Sequence, residues 1–140
     1  MEWCKVHWDI AFKKDVQRVG VGIIVRDHKG SVLAIRSFTK RGVLGPSIGE
    51  TIASFYVAQL CNEMGLQKVI LEANAKIVVE AINGKNRKWS SIRHLVDDTR
   101  VALQSLTLLN CIYVKHSANM AAHRLAKLAT TDIIDTLWDS

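Results

Sequence analysis

From Val6 to Phe12 the side chains alternate, with Val6, Trp8, Ile10 and Phe12 on one side and His7, Asp9 and Ala11 on the other. That two-residue period predicts a strand. Polar residues 13–18 connect it to a second strand over residues 20–25, which ends in the turn Asp27-His28-Lys29-Gly30. Gly30 supplies the positive φ that such a turn needs. Residues 31–38 return as a third strand. The connections are short, so the three strands form an antiparallel meander.

After residue 45 the period lengthens. Pro46 and Ser47 open a helix running to about Met64, with Ala53, Tyr56, Val57, Leu60 and Met64 as its apolar stripe and Gly65 as its stop. Ser47-Ile48-Gly49-Glu50 fits the capping-box pattern. Residues 67–72 read as a short apolar strand. Asn74 starts a helix on Ile77, Val78, Ala81 and Ile82. A basic, polar connection over residues 84–91 precedes a third helix, residues 92–106, on Leu95, Val96, Thr99 and Leu103. A last strand spans residues 108–115, and a final helix, residues 118–131, carries Ala122, Leu125 and Ala129.

The order βββ-α-β-α-α-β-α makes this an α/β fold. Strands separated by helices pair in parallel through crossovers, while the meander stays antiparallel. The expectation is a mixed five-stranded sheet, three strands antiparallel and then two parallel, with helices packed on it, as one domain over residues 1–140. The chain is either this compact by nature or cut from a longer one. Its tail, with Ile133, Ile134, Leu137 and Trp138, is apolar enough to dock on the domain or on a partner.

Composition narrows the classes. Apolar residues make up 49% of the 140, with a single proline, which argues against disorder. No apolar run approaches the ~20 residues that cross a bilayer, so no membrane partner is expected. Cys4, Cys61 and Cys111 are odd in number, far apart and set among apolar neighbours, which reads as reduced core thiols in an intracellular protein of nucleus or cytoplasm. A net charge of +6 suits a polyanionic partner.

Four polar positions stand at element ends or on otherwise apolar elements, and each has two local readings. Asp9 is either a solvated residue of an edge strand or, on a central strand, a carboxylate in need of a partner such as a metal. Glu50 is either the return arm of the capping box or a carboxylate aimed at the sheet. Asn74 is a good N-cap, yet it also stands where open α/β sheets gather their sites. His123 shares a helical face with Asn119, and His116 precedes that helix. Locally these are ordinary partly exposed histidines.

Taken in order, five segments resemble the ribonuclease H-like family, in particular the plant branch similar to the ribonuclease H portion of non-LTR retroelement reverse transcriptases. Trp8-Asp9-Ile10-Ala11 resembles the family's Asp-Gly-Ala strand, and residues 19–27 its glycine-rich second strand. Gly49-Glu50 opens the long helix, and Leu71-Glu72-Ala73-Asn74 resembles its Glu-x-Asp segment. Asn119-Met120-Ala121-Ala122-His123-Arg124-Leu125-Ala126 is like its Asn-x-x-Ala-(Asp or His)-x-Leu-Ala ending.

The resemblance implies a nuclease that cleaves the RNA strand of RNA–DNA hybrids with two magnesium ions held by four carboxylates. Carried over by position, the catalytic set is Asp9, Glu50, Asn74 and His123, with Asp9 and Glu50 as the metal ligands. Asn74 offers one neutral oxygen where a carboxylate belongs. His123 offers imidazole, a poor magnesium ligand that suits manganese or zinc better. Two negative charges in place of four leave a pair of ions ~4 Å apart poorly balanced, so Mg²⁺ or Mn²⁺ binding is expected to be weak. The implied nucleic-acid contacts are Lys13 and Lys14, Lys85, Arg87 and Lys88 around Trp89, His116, Asn119, and a close backbone approach at Gly20 and Gly22, for which a β-bulge is the rival reading.

Three functions follow from this. The first is a ribonuclease H-like domain that binds RNA–DNA hybrid or other nucleic acid, with hydrolysis impaired or absent. The second is an active divalent-metal nuclease, if manganese is tolerated or Asn74 is an engineered replacement of Asp. The third is a domesticated module that binds a protein partner.

Overall fold

The computed structural model describes residues 2–84, 93–115, 119–132 and 136–139. Strands β1 (Cys4–Lys13), β2 (Arg18–Arg26) and β3 (Val32–Arg41) form the expected meander. Helix α1 (Pro46–Glu63) leads to β4 (Lys68–Ala73), then α2 (Lys76–Ile82) and α3 (Arg93–Leu103). Strand β5 (Leu108–Tyr113) and helix α4 (Met120–Asp132) follow.

The five strands lie in the order β3-β2-β1-β4-β5, antiparallel within the meander and parallel from β1 through β4 to β5. A sixth strand, β6 (Thr136–Asp139), adds to the outer edge of β3 in antiparallel sense. The apolar tail therefore pairs with the domain's own sheet, at least through these four residues. Nothing in a four-residue pattern announces an edge strand, so it was not legible beforehand.

Strand alternation decides what each face carries. Val6, Trp8 and Ile10 of β1 and Val19, Val21, Ile23 and Val25 of β2 are buried in one cluster with Ala53, Val57, Leu60 and Cys61 of α1. Burying that many branched side chains is the main driving force for the layer, at ~25 cal/mol per Å² of apolar surface removed from water. The opposite face of β1, β2 and β3 is covered by α4. There the sheet must present almost nothing, because α4 lies directly on β2. A Cβ on Gly22 would stand 2.4 Å from the Ala122 carbonyl oxygen, and one on Gly20 would stand 2.1 Å from that of Ala126.

This corrects the reading of the two glycines as a docking line for nucleic acid. The backbone that approaches them belongs to α4, and the register irregularity of β2 lies at Val25/Arg26, so no bulge accounts for them either.

Candidate functional site

Strand β1 continues past the end of β4. The last pair between them is Trp8 with Ala73, so Asp9 is the first residue of β1 beyond β4, while on its other side it still pairs with Gly22. Sequence order also reverses here, with β2 on one side of β1 and β4 on the other. Such a switch point, at the carboxyl ends of parallel strands, leaves a crevice that side chains can line.

Asp9 is 4% exposed. Its Oδ1 accepts the Ile10 amide at 2.8 Å, and its Oδ2 lies 3.0 Å from Nδ1 of His123. Asp9 shares a face with Gly22, and the absent side chain of Gly22 brings α4 near enough for this contact. Just ahead of that helix, Asn119 Nδ2 donates to the Trp8 carbonyl at 2.7 Å. Two bonds, one from Asn119 ahead of α4 and one from His123 within it, thus hold consecutive residues of β1. Asn119 is buried in this role.

Glu50 comes from the other face. Helix α1 starts with Pro46 at its first position and Gly45 as N-cap, and no side chain caps it. The capping box is therefore not formed, since Glu50 stands two positions too deep in the helix to close it. Instead Glu50 lies buried against the Asp9 side chain and the Ile10 amide, and its Oε2 has no hydrogen-bond partner. Burial first, then the charge of Asp9 and a hydrogen bond to it, push the Glu50 carboxyl up to about 8. At neutral pH it is protonated and donates to Asp9.

Asn74 directly follows Ala73, the residue of β4 that pairs with Trp8. It does not cap α2, whose N-cap is Ala75. Lys13 and Lys14 are exposed at the turn between β1 and β2, and the Gln17 carbonyl of that turn accepts the Val43 amide at 2.9 Å. Lys85, Arg87, Lys88, Trp89 and His116 lie outside the described residues. Two other basic residues are already engaged. Arg18 Nη2 donates to the Thr130 carbonyl near the end of α4, and Lys40 sits over the ring of Tyr56. Sequence reasoning missed the pair His7–Glu72, 3.1 Å apart across β1 and β4. Glu72, a charge inside an apolar strand, was the available signal.

A family model described as "Reverse transcriptase-like" matches residues 7–129. The chain belongs to the reverse transcriptase-like family. No curated protein sequence matches this family member at a significant level. Among solved structures, the fold is similar to RNase H1 from the halophilic archaeon Halobacterium salinarum, with TM-score 0.85 and 18% identity over 93% of this chain and 98% of that one. The N-terminal RNase H domain of rv2228c from Mycobacterium tuberculosis gives the same TM-score and identity over 95% and 96%. LC11-RNase H1, solved in complex with RNA/DNA hybrid, gives 0.81 and 16% over 90% and 95%. The chain is a ribonuclease H-like α/β domain.

The donor set does not fit a pair of magnesium ions. One Asp9 oxygen is engaged by an imidazole and the other by an amide, and Asn74 brings no charge. Among the described residues, no group of three or more His, Cys, Asp or Glu side chains is arranged to hold a metal ion. Magnesium needs anionic oxygens in near-octahedral array, and Asp9 and Glu50 are the only carboxylates among the four positions. No helix among the described residues is long and apolar enough to cross a membrane.

Proposed function

We propose that this domain binds RNA–DNA hybrid, or nucleic acid of similar shape, at the crevice around Asp9, and that it hydrolyses its ligand feebly or not at all. The observation that carries the reading is the contact of His123 Nδ1 with Asp9 Oδ2 at 3.0 Å. It sets an imidazole against the carboxylate that would otherwise bridge two ions. The family, the fold and the exposed Lys13 and Lys14 support nucleic acid as the ligand. Phosphate contacts of that kind set affinity without reading sequence. The histidine at the fourth position supports descent from a plant non-LTR retroelement.

The discriminating experiment compares the chain with Asn74→Asp and with Asn74→Asp/His123→Asp on a labelled RNA–DNA hybrid, in magnesium and in manganese. The expected result is salt-dependent binding by all three, with cleavage only where carboxylates are restored. Prompt cleavage by the unaltered chain in magnesium would overturn the loss of hydrolysis. Absence of salt-dependent binding by every version would remove nucleic acid as the ligand and favour a protein partner.

A second reading, a weak manganese-dependent nuclease, is favoured by the unpartnered Oε2 of Glu50 beside Asp9. The manganese arm of the same experiment tests it.

A further inference from the structure

A concavity bordered by described residues lies away from Asp9. It lies at the other end of β1, a cleft of about 590 Å³ whose walls include Trp3, Lys5, Arg26, His28, Lys29 and Ile70. That volume falls within the ~300–1,000 Å³ range of small-ligand sites. Lys5, Arg26 and Lys29 supply three positive charges, and Asp27 is the one acid in the wall. Asp27 is already committed, because its Oδ1 accepts the Lys29 and Ser31 amides at 2.9 Å each and so shapes the turn. Arg26 spends one guanidinium nitrogen on the Gly30 carbonyl. Glu72 stands just outside the wall and is held by His7 at 3.1 Å and Lys5 at 3.9 Å. The cations of Arg26 and Lys5 also act on His7, whose pKa is lowered by burial first and by both of them, against Glu72.

The chemistry of the wall is specific. Cations at the rim match phosphate, while Trp3 and Ile70 offer an aromatic and an apolar surface to a flat ring. Bases of a single strand stack on aromatic side chains, and such stacking tolerates any base. The cleft lies along the same strand as the proposed duplex site. Lys5, His7 and Asp9 point to the same face of β1, and four residues of strand span about 13 Å at ~3.3 Å each.

We propose that the cleft bounded by Trp3, Lys5, Arg26 and Lys29 binds a single-stranded stretch of nucleic acid, the overhang of a duplex seated at Asp9. The location of the duplex rests on the function proposed above; the chemistry of the cleft does not.

The test measures affinity by fluorescence anisotropy for a blunt RNA–DNA hybrid, for the same hybrid with five-nucleotide overhangs of either polarity, for a single-stranded oligonucleotide, and for a mononucleotide. Each is run with the unaltered chain, with Lys5→Gln/Lys29→Glu and with Trp3→Ala, whose folding is checked by circular dichroism. One overhang polarity should tighten binding about tenfold, the order expected of one stacked base and its phosphate. Both variants should abolish that gain and leave the blunt hybrid unaffected. Equal affinity for blunt and overhanging hybrids, or a gain that survives in both variants, overturns the proposal. Mononucleotide binding as tight as the oligonucleotide's overturns it in favour of a small phosphorylated ligand. Failure of the blunt hybrid alone, with oligonucleotide binding lost in the variants, sinks the duplex site and leaves the cleft standing.

Discussion

His123 Nδ1 and Asp9 Oδ2 lie 3.0 Å apart, although 114 residues separate them along the chain. An ionised carboxylate only accepts, so Nδ1 carries the hydrogen of this bond. The pair joins α4 to β1, a strand that α1 contacts as well. His123→Ala would leave a buried carboxylate short of a donor. The expected loss is about 1.5–3 kcal/mol, the range for a hydrogen bond to a charged group. Urea denaturation at neutral pH reads it, and a loss within error would mean that water replaces the imidazole without cost.

Glu50 gives the domain a pH dependence of definite sign. Its carboxyl is pushed up to about 8 in the fold from an ordinary value of 4.5. Between those values the folded chain holds a proton that the unfolded chain has released. The associated stability is complete below about 4.5 and is lost as pH rises through about 8. Urea midpoints should therefore fall from pH 5 to pH 9. Glu50→Gln, neutral at every pH and nearly the same shape, should flatten that fall and raise stability at pH 9. A slope unchanged by the substitution would place the titration elsewhere.

Gly22 makes the Asp9–His123 contact possible by letting α4 lie on the sheet. A methyl group there would press 2.4 Å from the Ala122 carbonyl oxygen and 2.7 Å from the Ala126 amide nitrogen, both of which are backbone. Backbone cannot rotate away, so Gly22→Ala must lift the helix. Overpacking costs about 1–3 kcal/mol where side chains can give way, and this site lies at the upper end or beyond. The same shift draws His123 off Asp9. Gly22→Ala should therefore lose most of the added cost of a second His123→Ala substitution, and a double-mutant cycle measures that coupling.

The sheet was legible because its strands carry unambiguous periods. Alternation over Val6–Phe12 and the apolar run Val69–Leu71 each indicate how many faces the strand buries, and short against long connections separate antiparallel from parallel pairing. Glu50 was legible only in part. Ser47 and Glu50 have capping-box spacing, but Pro46 at the first helical position moves the start of α1 back and turns Glu50 inward. The reason for Gly20 and Gly22 was hidden, since a glycine records that something comes near without saying what. Asn119 stood out through the family's Asn-x-x-Ala ending, but its structural bond was hidden. Its partner, the Trp8 carbonyl, lies 111 residues away, and no local pattern links them.

Lys13 and Lys14 carry the affinity side of the proposed function. Both are exposed, at the turn between β1 and β2, and neither has an ion-pair partner among the described residues. A lysine that neutralises a phosphate releases a condensed counterion, which steepens the dependence of binding on salt. Lys13→Ala/Lys14→Ala should weaken hybrid binding equally for different sequences. It should also take about one unit per lost contact off the slope of log affinity against log salt. Stability should hardly change, because exposed charges of this kind contribute little to the fold. The measurement is a set of anisotropy titrations between about 50 and 200 mM salt, across which a protein with about 6–10 phosphate contacts loses ~10³–10⁵-fold in affinity. A parallel slope with weaker binding would mean that the two lysines act on the shape of the turn and touch no phosphate.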